Sequence, residues 1–179
     1  MRIKWFSLIR ITGLLLVLLY HFFQTIFPGG FFGVDVFFTF SGFLITSLLL
    51  EEFGKKSQIN LLGFFKRRFY RIVPPVVLMV LVTMPFTLLV RQDYVAGIGG
   101  QIAGVLGFMT NFYEMLTGGS YESQFIPHLF VHNWSLAVEV HYYILWGLAV
   151  WFLSKRSKSS SQLRGMVFLL SAGAFIISF

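Results

Sequence analysis

Apolar residues along this chain come in runs about as long as a bilayer is thick. Short polar connections separate the runs, and the basic residues gather in those connections. Five runs stand out: Ile11–Phe27, Phe31–Leu50, Ile72–Val90, Tyr94–Phe112 and Trp134–Leu153. A sixth, over 165–179, has no closing polar flank. About 20 predominantly apolar residues cross the hydrocarbon core as a helix. An open strand in lipid would leave its backbone groups unpaired, so each run predicts a helix. The expected architecture is all-α, a polytopic transmembrane helix bundle whose sixth span is incomplete in this sequence. Pro28-Gly29-Gly30 predicts a tight turn between the first two spans. It is followed by bulky Phe31-Phe32, not by a small-residue cleavage site, so the first run does not read as a signal peptide.

Within this frame the third and fourth runs carry further expectations. Pro74 and Pro75 suit the start of a helix, where a missing N–H costs nothing, and Pro85 predicts a kink. Asn60–Arg71, ahead of them, has apolar residues on one helical face and basic ones on the other. It predicts a segment lying in the interface plane before the chain re-enters the bilayer. Tyr94–Phe112 is weaker and Gly-rich. Gly100 and Gly104 are spaced for close approach to a neighbour.

Composition agrees with the pattern. Apolar residues make up 56% of the 179 residues and charged ones 12%, against about 25% charged in soluble domains. No cysteine is present, which excludes disulfides, Cys-ligated zinc and thiol nucleophiles. The formal net charge of +7 is not a nucleic-acid signature, because the basic residues flank apolar runs in the positive-inside manner. Lys55, Lys56, Lys66, Arg67, Arg68 and Arg71 place the second connection on the cytoplasmic side, and the basic N-terminus with it. Lys155, Arg156 and Lys158 then conflict with five full crossings, which would put them outside. A re-entrant Tyr94–Phe112 would resolve the conflict. Five crossings is the preferred reading, since the charge bias is statistical.

Ionisable side chains inside such runs are the candidates for chemistry, because a charge in hydrocarbon is costly and faces a partner or a watery cavity. Asp35, with Ser41-Gly42 further along, lies in the second run. Its bland reading is a carboxylate favoured by a helix start. Arg10 and His21 are eleven residues apart, about 16 Å along a helix and only about 20° past three full turns, so they share a face. Histidine suits proton transfer near neutral pH; the alternative is a ring bonded to a backbone carbonyl. Arg67, Arg68 and Arg71 suit phosphate oxygens, or serve topology alone. Ser135 and Glu139, an i,i+4 pair, line one face of the fifth run. A metal reading of His128, His132, Glu139 and His141 is disfavoured, since no strong zinc spacing is present.

Four blocks in order resemble the membrane acyltransferase-3 family. They are Arg10-Ile11-Thr12-Gly13 with His21; Gly33-Val34-Asp35 through Ser41-Gly42-Phe43-Leu44-Ile45; Arg67-Arg68-Phe69-Tyr70-Arg71-Ile72-Val73-Pro74; and Trp134-Ser135-Leu136-Ala137-Val138-Glu139. The fourth block departs from the family's usual Gln-Phe-Tyr ending, with Val140-His141-Tyr142-Tyr143 instead, and looks most like the Gram-positive peptidoglycan O-acetyltransferases. The resemblance implies the N-terminal half of an approximately ten-span enzyme in the plasma membrane. Such enzymes move an acyl group, often acetyl from cytoplasmic acetyl-CoA, to a cell-envelope carbohydrate hydroxyl, with no metal. It implies His21 as catalytic histidine with Arg10 as companion, an acyl-CoA entry at Arg68 and Arg71, and Ser135 and Glu139 in the fourth motif. A further extracytoplasmic domain downstream is compatible with it. The competing readings are a transporter using the same Arg, His and Glu as a relay, and an inactive fragment of the acyltransferase.

Overall fold

The computed structural model describes residues 5–23, 25–89, 95–117 and 128–178, and within these it leaves the side chains of residues 5–7 and 10 undescribed. The described residues form helices and turns, with no strand among them. The helices are α1 (Trp5–Phe22), α2 (Phe32–Lys56), α3 (Leu61–Phe86), α4 (Ile98–Leu106), α5 (Thr110–Thr117), α6 (Trp134–Arg156) and α7 (Ser160–Ile177). Among the described residues, four stretches are long and apolar enough to cross a membrane: Pro28–Lys56, Leu61–Leu89, Val131–Arg156 and Ser160–Ile177. Ile11–Phe22 is a shorter apolar helix. Large apolar side chains such as Phe22, Leu78, Leu145 and Phe168 lie exposed along them, as lipid-facing positions require. This is the multi-pass helical membrane protein that the apolar runs predict. The chain divides into two compact units, one of Met1–Ser57 with Ser157–Phe179, the other of Gln58–Arg156.

In the first unit α1, α2 and α7 pack through small residues and a stripe of buried apolar ones. Pro28–Phe31 forms a single 3-10 turn between α1 and α2, where the Pro-Gly-Gly signal lies. The two helices then approach backbone to backbone. A Cβ on Gly33 would lie 2.5 Å from the Gly13 carbonyl oxygen and 2.8 Å from Val17 Cγ2. Further along α2, Ile45, Leu49 and Phe53 are buried at four-residue intervals, and Leu163 and Val167 are buried on α7. α2 stops at Ser57, which takes a left-handed conformation (φ 54°) and donates its N–H to the Phe53 carbonyl at 2.7 Å. Ser159 caps α7, its Oγ accepting from the Gln162 N–H at 3.2 Å, while Gln162 Oε1 accepts from the Lys158 N–H just before the cap at 2.8 Å.

The close approach at Gly33 makes a stability prediction. Gly33→Ala is expected to destabilise the full-length protein by roughly 1–3 kcal/mol through overpacking. Gly29→Ala, whose Cβ would meet nothing nearer than 3.9 Å, is the control. Thermal unfolding in detergent distinguishes them, and equal midpoints would refute the contact.

In the second unit α3 and α6 run antiparallel. The Phe64 ring packs where a Cβ on Gly147 would stand, at 3.1 Å. One turn later on α3 and one turn earlier on α6, Arg68 meets Tyr143. Farther on, Val76 and Val80 join Val105 and Phe130 in the buried core, with Leu136 packed against them. α3 therefore differs from the expected helix start at the prolines. Asn60 caps it, its Oδ1 accepting from the Gly63 N–H at 2.8 Å, and it continues through Pro74 and Pro75 as one helix. The prolines remove two intrahelical bonds, but packing on both sides of them, at Phe64 and at Val76, holds the halves in line. The amphipathic basic segment is thus the first turns of the spanning helix, not a separate interfacial one. Pro85 falls next to the helix end, where the chain tightens into a 3-10 turn over Thr87–Leu89.

The Gly-rich run also differs from a single crossing. α4 has 9 residues and α5 has 8. At 1.5 Å per residue each is about 12–14 Å long, under half the hydrocarbon thickness. Between them the Phe108 N–H bonds the Val105 carbonyl at 3.1 Å and the Met109 N–H bonds the Gly104 carbonyl at 2.7 Å, with Phe108 left-handed (φ 54°). That is a Schellman end built on phenylalanine, held by the packing of Phe108 on the core. The neighbour that Gly100 and Gly104 approach is α5, through the Tyr113 side chain.

Candidate functional site

In the first unit, His21 lies exposed in the last turn of α1. Its Nδ1 is 2.8 Å from the Val17 carbonyl oxygen. A carbonyl only accepts, so Nδ1 carries the proton and the lone pair of the neutral ring sits on Nε2. The backbone-bonded alternative is therefore the observed state of one nitrogen, and it fixes the tautomer in which the other is the base. Arg10 lies on α1, but its side chain is outside those described. Asp35 is exposed in the first turn of α2, where the helix macrodipole favours a carboxylate.

In the second unit, two of the sequence-predicted blocks meet. The Arg68 guanidinium stands over the Phe64 ring, 5.7 Å from its centroid, and over the Tyr143 ring at 5.9 Å. The Tyr143 hydroxyl donates a hydrogen bond to Glu139 Oε1. Arg68, Tyr143 and Glu139 so form a continuous contact from α3 to α6. The ring is a buried body with a polar tip, and the cation lies on its negative face. Lys66, Arg67 and Arg71 are exposed at the same end of α3. The antiparallel packing brings Lys155 and Arg156, at the close of α6, to that end as well. There they lie over the Trp151 and Phe152 rings at 5.4 and 4.0 Å. Ser135, one turn before Glu139, bonds the His132 carbonyl at 3.4 Å. It shares a face with Glu139 but serves the start of α6.

A second polar group lies toward the other end of this unit. His128 Nδ1 is 2.8 Å from Glu114 Oε2, and Glu114 is buried. Gln101, also buried, donates to the Ala96 carbonyl at 2.7 Å and accepts from the Phe130 N–H at 3.3 Å, which ties α4 to the segment entering α6. The Tyr113 and His128 rings lie 5.5 Å apart. Glu114 is not among the sequence candidates, and His128 stands there only in the disfavoured metal reading. The signal for Glu114 was a lone carboxylate between Phe112-Tyr113 and Met115-Leu116. Tyr143 was quoted but given no role; its i,i+4 spacing from Glu139 was the sign. Among the described residues, no three His, Asp or Glu side chains gather as a metal site.

Residues 3–179 match the family model described as an acyltransferase domain. The chain belongs to the acyltransferase-3 family. The O-acetyltransferase OatA of Staphylococcus aureus (strain NCTC 8325 / PS 47) is 33% identical over 171 residues, 94% of this chain and 28% of that protein. A putative O-acetyltransferase of Staphylococcus aureus (strain COL) is 35% identical over 136 residues, 76% of this chain and 22% of its own length. The chain thus spans about a quarter of the length of these relatives. No solved structure matches it. The members of this family that it resembles are O-acetyltransferases by name, as the four sequence blocks imply.

Proposed function

We propose that this family member is part of an integral membrane O-acyltransferase. It moves an acetyl group from cytoplasmic acetyl-CoA to a hydroxyl of a cell-envelope carbohydrate, with peptidoglycan the favoured acceptor. The observation that carries the reading is the Arg68–Tyr143–Glu139 contact, which joins the family's basic block to its Trp-Ser-Leu block. Arg67, Arg68 and Arg71 hold the CoA phosphates, for which in-plane guanidinium N–H groups suit paired bonding. Tyr143 and Glu139 place a hydroxyl and a carboxylate one turn deeper. His21, with its basic Nε2, takes the proton of the attacking hydroxyl as thiolate leaves the acyl carbon. Arg10 is its companion on α1, with Ser135 and Asp35 in supporting positions.

The same reading orients the chain. With α4 and α5 a re-entrant hairpin, the basic start of α3 and the basic end of α6 face one side of the membrane. Positive-inside makes that side cytoplasmic, and the N-terminus lies there too.

The direct test follows label from [acetyl]-CoA into envelope carbohydrate in membranes carrying the full-length protein. Transfer by the wild type is expected, and its absence would refute the reading. Tyr143→Phe keeps the ring under Arg68 and removes the hydroxyl. It is expected to lower transfer about tenfold or more at a normal protein level, the cost of one hydrogen bond to a charged group. A wild-type rate in that variant would exclude the hydroxyl from the reaction.

A further inference from the structure

α5 presents a polar face that the described residues satisfy only in part. Thr110, Asn111 and Glu114 fall within about 100° of one another around the helix. Glu114 is held by His128. Thr110 Oγ1 and Asn111 Oδ1 are buried with no hydrogen-bond partner among the described residues, and Thr110 is 1% exposed. A buried hydroxyl and a buried amide oxygen are seldom left unpaired, because each pays its full desolvation cost. One needs an acceptor or donor and the other needs a donor. A hydroxyl-bearing ligand answers both, since each of its O–H groups donates and accepts.

Position decides which ligand. His128, the partner of Glu114, lies two residues before Phe130, which is buried with Val76, Val80 and Val105. Val80 is twelve residues, about 18 Å, along α3 from Arg68. The polar face is therefore toward the end of the second unit away from Arg68, and among the described residues no lysine or arginine lies between Arg71 and Lys155 to meet a phosphate-rich donor. Tyr113, whose ring lies against His128, adds the aromatic surface on which the apolar face of a sugar ring rests. The carboxylate of Glu114 accepts the His128 Nδ1–H, which leaves the ring's lone pair on Nε2 as an acceptor for a ligand hydroxyl.

We propose that Thr110, Asn111, Glu114 and His128 form a subsite for the hydroxyl-bearing carbohydrate acceptor. This deepens the acyltransferase reading and rests on it. Glu114 and His128 are positioning residues here, because they bind and orient the acceptor and leave the thioester untouched.

The test uses purified full-length protein in detergent, acetyl-CoA, and a soluble peptidoglycan disaccharide as probe. Three readouts are taken: transfer to the disaccharide, thioester hydrolysis without acceptor, and equilibrium binding of the disaccharide. Thr110→Val is isosteric and removes a hydroxyl that no described residue bonds. It is expected to fold at least as well as the wild type, to raise the acceptor KM and Kd about fivefold to tenfold, and to leave hydrolysis unchanged. His128→Gln and Glu114→Gln are expected to raise KM roughly 10–100-fold with kcat little altered, since each change also weakens the histidine–carboxylate bond that orients the acceptor groups. Acceptor KM and Kd within twofold of wild type in Thr110→Val, with hydrolysis intact, would overturn the subsite and assign the two unpaired oxygens to water. Loss of hydrolysis together with transfer in His128→Gln, at normal protein level, would overturn the positioning role. A wild type that hydrolyses nothing and acylates nothing would instead refute the acyltransferase reading, and disaccharide binding would still report on the subsite.

Discussion

Replacing His21 by alanine is expected to cut acyl transfer by roughly 10²–10⁴-fold, the range of a lost general base, with acyl-CoA binding near normal. The geometry makes this a clean substitution. The ring lies exposed in the last turn of α1 and its Nδ1 bonds a carbonyl of its own helix, so the substitution removes an exposed side chain and no buried volume. The structural cost is therefore small and the chemical cost large, because no other group offers the Nε2 base at that place. His21→Gln keeps a polar side chain of similar reach without the basic nitrogen and is expected to be as slow as His21→Ala. Single-turnover transfer with labelled acetyl-CoA separates chemistry from binding. Unchanged turnover in His21→Ala would remove the histidine from the mechanism.

The second large effect is expected at the arginines. Arg68→Ala combined with Arg71→Ala should raise the Kd for acetyl-CoA about 100-fold. Each lost charge-assisted phosphate contact is worth about 1.5–3 kcal/mol, and about 1.4 kcal/mol is a factor of ten, so even the lower bound reaches two decades. Arg68 differs from its neighbours because it also stands over Phe64 and Tyr143. Arg68→Lys keeps the charge and gives up the planar stacking, so it should fall between the wild type and Arg68→Ala. Arg67→Ala, at an exposed position, should weaken binding less. Titration of a fluorescent CoA analogue against the full-length protein measures all four. Affinity unaltered in the double variant would leave the cluster with a purely topological role.

How much was legible beforehand differs from element to element. Helices α2, α6 and α7 follow from apolar length alone, since lipid allows no other unpaired backbone. The Pro-Gly-Gly turn follows from residue chemistry at three positions. α3 was only half legible: Pro74 and Pro75 argue locally for a helix start, and the local argument lost to Phe64 and Val76 packing on either side of them. The break at Phe108 had no local sign, because a left-handed phenylalanine is disfavoured on its own and exists only where a core accepts its ring. In the candidate site, Arg68 and Glu139 were named from sequence and the i,i+4 spacing of Tyr143 from Glu139 was legible too, but the meeting of Tyr143 with Arg68 was not, since no spacing rule links residues 75 positions apart in the chain. Glu114 and His128 were unreadable as a pair for the same reason.

By itself the order of residues determined that this is a helical membrane protein of the acyltransferase-3 family, with a basic end and a few ionisable groups inside apolar helices. Those properties are set by transfer of each segment from water to lipid and by motifs that are contiguous in the chain. Tertiary structure alone decided that the Gly-rich run folds as a two-helix hairpin, that Arg68 leans on the Tyr143 that Glu139 holds, and that a half-buried histidine on a buried carboxylate stands toward the far end of the same unit. The physical reason is that these arrangements depend on which side chains fill the space between helices, and that is a property of several segments at once.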